Sequence, residues 1–143
     1  MKRSMMLALL ALSVGFFGGC ADKEKGEKQF KEAETILKNK GEQKEAFKLF
    51  EKSCGNDYAK SCWAVSVVYV KGNEKLGIKP DHKKSVAFGQ KAHDLNAEEA
   101  CNFNKESAAC TQRTETASKF KRACENVESQ ECSLSLIFGA MSL

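Results

Sequence analysis

The residues with the most chemistry to offer are seven cysteines: Cys20, Cys54, Cys62, Cys101, Cys110, Cys124 and Cys132. Thiols at this density bind metal, exchange electrons or form structural bridges. Zinc sites call for C-x2-C pairs with converging histidines. The chain has no such pair, and its two histidines, His82 and His93, stand apart. Redox catalysis also asks for C-x2-C, with a thiol of lowered pKa. Neither a metal nor another cofactor is therefore expected. What does recur is a spacing of seven intervening residues, between Cys54 and Cys62 and again between Cys124 and Cys132. Along one helix such cysteines would sit about 12 Å apart, beyond disulfide reach. With a tight turn between them, the first ends one helix and the second begins the next. The turn residues Gly55-Asn56-Asp57-Tyr58 and the segment Glu125 to Ser129 fit that role. Each bridge of this kind stabilises by roughly 2–4 kcal/mol, mainly by limiting the unfolded chain.

Cys20 has different surroundings. Lys2 and Arg3 form a positive start, and Met5 to Phe17 is an almost unbroken apolar run, too short for a comfortable membrane span. The run ends in Phe17-Gly18-Gly19-Cys20. This resembles the bacterial lipobox, in which small residues precede a cysteine that is diacylated before the signal is cleaved. Phe17 stands where leucine is usual. Setting Cys20 aside for lipid leaves six cysteines, the even number that full pairing needs. The expected organisation is a lipoprotein signal peptide at 1–19, a lipidated cysteine and polar tether at 20–26, and a helical domain at 27–143. The expected location is the bacterial cell envelope, on the outer-membrane or periplasmic side, held by lipid. Several acyl chains on one residue give stable anchoring where a single chain does not.

The chain has 143 residues, 29% of them charged, with a formal net charge of +4. Two of the positive charges lie in the signal. The mature part is only weakly basic and gives no support to a nucleic-acid role. One proline, few aromatics and scarce β-branched runs favour helix over sheet.

The elements that must position the thiols follow from apolar spacing. Phe30, Ala33 and Leu37 recur at helical intervals, and Gly41 is placed to end that helix at positive φ. Ala46, Phe47, Leu49, Phe50 and Cys54 share a face of a second helix, which Gly55-Asn56-Asp57 breaks. A third begins near Ser61 and carries Trp63, Val65, Val67, Val68 and Tyr69. After a loop from Lys71 to Pro80, Asp81 is a candidate N-cap for a helix through Val86, Phe88 and Ala92. Later helices end near Cys124 and start near Glu131, the last with Leu134, Ile137, Phe138 and Met141. The cysteine pattern recurs at intervals of roughly 30–40 residues, with His93 standing where the middle copy would have its first cysteine. Such periods belong to arrays of helical hairpins.

The stretch Tyr69 to His93 resembles the Sel-one-like repeat, a relative of the tetratricopeptide repeat. The residues that carry the likeness are Tyr69, Gly72, Gly77, Ile78, Asp81, Lys84-Ser85 and Lys91-Ala92. The added cysteine pairs look like the cysteine-rich secreted branch known from Helicobacter and related bacteria. The likeness covers about Lys44 to Cys132. Four residues separate Gly72 from Gly77 where the family has one, and Gly89 replaces an aromatic, which implies a gap or a close helix contact. With His93 in place of a cysteine, Cys101 lacks the partner the family pattern implies; Cys110 is a candidate substitute, across a turn from Asn102 to Ala109, and this pairing stays open.

The resemblance implies an all-α fold, a short α-solenoid of antiparallel hairpins stapled by disulfides. It also implies a scaffold that binds a protein partner in the envelope, on a surface lined by the first helices of the hairpins. Tyr58, Trp63 and Tyr69 are the candidate contact aromatics. Some cysteine-rich members carry a β-lactamase or penicillin-binding label, which is the alternative reading. A serine β-lactamase would need S-x-x-K, S-D-N and K-T-G, and all three motifs are expected to be lacking. Glu98-Glu99 is a carboxylate pair, but neighbours in sequence do not face one another on a helix.

Overall fold

A computed structural model describes residues 22–103, 105–106 and 108–138. The signal, Cys20 and Met141 lie outside the described residues. The elements are α1 (Lys23–Lys38), α2 (Gln43–Gly55), α3 (Ala59–Lys71), a 3-10 turn (Glu74–Leu76), α4 (His82–Phe103), α5 (Ala108–Ala123) and α6 (Gln130–Phe138). The fold is all-α, and the described residues hold one isolated bridge, Asn73 to Ile78, within the α3–α4 loop. Each helix packs on the next. The pairing is antiparallel. The start of α1 meets the end of α2 through Gly26 and Ser53, Trp63 of α3 meets His93 of α4, and His93 meets Phe120 of α5.

Local chemistry sets the helix ends. Asp22 caps α1 by accepting from the Lys25 amide at 3.0 Å. The helix therefore starts at Lys23, and residues 23–26, expected in the tether, form its first turn. Polar composition hides this because the packing there is made by backbone. Gly26 is buried, and a Cβ on it would lie 3.0 Å from Tyr58 Cβ and 3.1 Å from the Ser53 carbonyl. Asp81 caps α4 as expected, accepting from the Lys84 amide at 3.0 Å.

The left-handed residue after α1 is Lys40, at φ 56°, rather than Gly41. The Lys40 amide donates to the Leu37 carbonyl and the Gly41 amide to the Ile36 carbonyl at 2.8 Å, the paired bonds of a Schellman motif. Gly41 serves by its lack of a side chain, since a Cβ would meet Ile36 Cγ2 at 2.8 Å. The end of α2 repeats the device. Asp57 takes φ 58°, and the Asp57 and Tyr58 amides donate to the Cys54 and Ser53 carbonyls.

The core joins Cys54, Cys62, Trp63, Ala92, Phe120, Cys124, Cys132 and Leu136. Leu136 is 1% exposed, whereas Leu134, expected on the apolar face of α6, is 45% exposed. The run Leu134 to Phe138 is almost continuously apolar, so spacing alone cannot choose its buried face. Small polar residues carry the closest helix contact. Ser66 Oγ donates to the Ser85 carbonyl at 2.7 Å and Ser85 Oγ to the Ser66 carbonyl at 2.9 Å. These reciprocal bonds tie α3 to α4 where a larger side chain would force them apart.

Candidate functional site

Three disulfides join successive helices. Cys54 and Cys62 link α2 to α3, Cys101 and Cys110 link α4 to α5, and Cys124 and Cys132 link α5 to α6, with Cα separations of 4.6, 4.6 and 4.5 Å. Each spans a turn, as the spacing requires. The outer pairs are buried within the core, while Cys101 and Cys110 are half-buried. Among the described residues no group of three or more His, Cys, Asp or Glu side chains is placed to hold a metal ion.

His93, standing at the unfilled cysteine position, is 3% exposed and lies between aromatic rings. Its ring centroid is 5.3 Å from Trp63 and 4.7 Å from Phe120. Burial holds its pKa below the usual histidine value, against the opposing charge of Asp94. Two buried side-chain atoms here, His93 Nε2 and Trp63 Nε1, have no hydrogen-bond partner. Trp63 is 6% exposed, so it is removed from the contact candidates and belongs to the core. Its place in the second turn of α3, next to Cys62 of the first bridge, turns it inward onto α4 and α5.

Tyr58 is half-buried at the start of α3, with its ring 5.3 Å from Phe30. Burial pushes its phenol pKa up, and the nearby charge of Glu27 adds to this. Its first task is to brace α1. What remains open of it lines a recess of about 240 Å³ with Lys23, Glu27, Lys60, Asn96 and Glu99. Tyr69 stacks on Phe88, ring centroids 5.8 Å apart, and is likewise packed. Of the three aromatic candidates, Tyr58 is the one placed in the lining of this recess.

The more apolar opening lies elsewhere. A cleft of about 420 Å³ runs between α5 and α6, with His93 of α4 contributing to its wall. Phe120, Ala123 and Leu134 supply apolar lining, and Thr116, Lys119, Glu131 and Ser135 supply polar edges. The close approach of the helices around it depends on Gly89. A Cβ there would meet Phe120 Cζ at 2.8 Å, Ser66 Oγ at 3.2 Å and Leu136 Cδ2 at 3.3 Å. Of the gap or close contact that Gly89 implied, the structure has the close contact. Sequence reasoning passed over Phe120 and Leu136. The heptad-like position of Phe120, four residues before Cys124, is the signal that could have found the first.

One S-x-x-K spacing does occur, in Ser118-Lys119-Phe120-Lys121, contrary to the expectation that the β-lactamase motifs are lacking. Ser118 and Lys121 are both exposed on α5. They sit in mid-helix, where the backbone amides are used within the helix and leave no oxyanion-binding donors. No described helix is long and apolar enough to cross a membrane.

Compared with known protein families, with curated proteins and with solved structures, the chain matches none. The likeness to the Sel-one-like repeat therefore rests on the residues quoted for it.

Proposed function

We propose that this chain is a lipid-anchored envelope protein that holds another protein on a rigid helical array. The observation that carries the reading is the α5–α6 cleft. Leu134 is 45% exposed beside a mostly apolar opening, whereas the similarly exposed Leu37, at 43%, is not part of its lining. An exposed aliphatic side chain next to a preformed cleft, edged by Lys119 and Glu131, suits an apolar side chain of a partner with polar groups around it. The resemblance to helical repeats supports protein binding as the use of such a surface. The array is well suited to stay rigid on binding, because three disulfides and the core hold the helices that line the cleft.

The anchor rests on Lys2, Arg3, the apolar run and Gly18-Gly19-Cys20. The contact surface proposed here differs from the one expected from the repeat likeness, because Trp63 is buried in the core and the half-buried Tyr69 is stacked on Phe88. The test is site-specific photocrosslinking in intact cells, with the crosslinker at position 134 and, in a parallel strain, at Lys79. One discrete adduct from position 134 and none from position 79 is the expected result. Equal, diffuse adducts from both positions would remove the cleft from the account.

A further inference from the structure

The start of α1 fixes which end of the array can meet a bilayer. Only Ala21 lies between Cys20 and Asp22. Two trans peptide units span at most about 7.6 Å between Cα atoms, whatever their conformation. Asp22 itself is held, because its carboxylate caps α1. The first two turns of α1 are then fastened to three other elements. Lys23 Nζ pairs with Glu99 of α4 at 2.6 Å. The Gly26 carbonyl accepts from Ser53 Oγ of α2 at 2.6 Å. Gln29 Oε1 accepts from Asn56 Nδ2, in the α2–α3 turn, at 2.9 Å. A lipid on Cys20 is therefore joined to the folded domain with almost no slack.

Because successive helices are antiparallel, the turns alternate between two ends. The α2–α3 and α4–α5 turns share the end at which α1 starts. The α1–α2 turn and the α3–α4 loop share the other; the α5–α6 turn faces the same way but lies nearer the first end, because Phe120 close before it packs on Trp63 in the second turn of α3. With 16 residues in α1, the two ends are about 24 Å apart along it. Helix α4 also overshoots. Lys91 Nζ reaches the Cys54 carbonyl at 3.0 Å, level with the α2–α3 turn, and α4 continues to Phe103. Those last residues carry the α4–α5 tip, with exposed Lys105 and Glu106, well past that turn and about one helical turn past Glu99.

We infer that in the acylated protein the end bearing the α2–α3 turn and the α4–α5 tip lies against the lipid headgroup layer, with the opposite end directed away from the membrane. This rests on the reading of Cys20 as the lipidated residue. The near end carries Lys23, Lys60 and Lys105 but also Asp57, Glu98, Glu99 and Glu106. Its mixed charge gives no strong attraction to anionic lipid, so the short tether sets the contact.

The test uses the acylated wild-type protein in vesicles of zwitterionic lipid doped with a lipid that carries a photoreactive group on its headgroup. After illumination, the protein is digested and the lipid-modified peptides are mapped, with the acylation of Cys20 read in the same digest. Adducts should fall in 56–61 and 98–110, several-fold above any in 39–44 or 72–81. Adducts spread evenly over both ends, or concentrated in 39–44 and 72–81, with Cys20 acylated, overturn the orientation alone. An unacylated Cys20 overturns the anchor, and the orientation with it.

Discussion

Lys91 of α4 and Asp57 of the α2–α3 turn meet at 2.8 Å, and the same ammonium donates to the Cys54 carbonyl at 3.0 Å. One lysine thus closes the C-terminal end of α2, where unpaired carbonyls and the negative end of the helix dipole favour a cation. It does so beside the disulfide that joins α2 to α3, so α4 is pinned to the first staple. Both side chains are well over a third exposed, which screens the pair. Lys91→Met, which keeps the stem, should lower stability by on the order of 1 kcal/mol in denaturant titration. In Asp57→Asn the Lys91→Met effect should shrink but persist, because the carbonyl contact remains. An undiminished effect would mean that the carboxylate contributes nothing.

Two glycines in helices should respond in opposite directions. Gly89→Ala puts a methyl group 2.8 Å from Phe120 Cζ, inside the α3–α4–α5–α6 packing. Overpacking of that kind costs about 1–3 kcal/mol. Gly55→Ala, with nothing within 4 Å, should instead stabilise, by up to about 1 kcal/mol. Thermal melts of the two variants check the pair. A neutral Gly89→Ala would contradict the close approach around the cleft.

The stability of the domain should depend on His93. Its folded pKa is lowered by burial from the ordinary value of 6.5, so the unfolded chain takes up the proton first as pH falls. The sign follows: this contribution is fully present above the unfolded pKa of 6.5 and is lost as pH falls from there through the folded pKa. His93→Leu, which fills the site without titrating, should flatten that part of the stability profile. An unchanged slope in the variant would assign the acid sensitivity to other groups.

How much of this was legible in the sequence depended on which atoms carry the information. The Cys54–Cys62 and Cys124–Cys132 pairings were legible because seven intervening residues and a turn leave little choice; Cys101–Cys110, with eight, lacks that repeated spacing and stayed open. The Asp81 cap was legible because an aspartate just before a helix has a local use. The first turn of α1 was not, since Gly26 contributes only backbone and the residues around it are charged. Nor was the αL residue at Lys40, where the neighbouring glycine was the conventional choice. The inward turn of Trp63, the burial of Leu136 and the exposure of Leu134 depend on how α3, α4, α5 and α6 meet. No period within one helix encodes that, and the cleft formed by the same meeting stayed out of sight with it.

If the α5–α6 cleft holds a protein partner, Leu134→Glu should break that contact. Leu134 is already 45% exposed, so a carboxylate there should leave the melting temperature within a degree or two of wild type. The quantity to measure is the yield, from intact cells, of the adduct formed by a photocrosslinker at Thr116 on the facing wall of the cleft. The account predicts that Leu134→Glu reduces that yield by about tenfold or more, as expected when an apolar contact at the centre of an interface is replaced by a charge. A yield equal to wild type, with the fold intact, would contradict it.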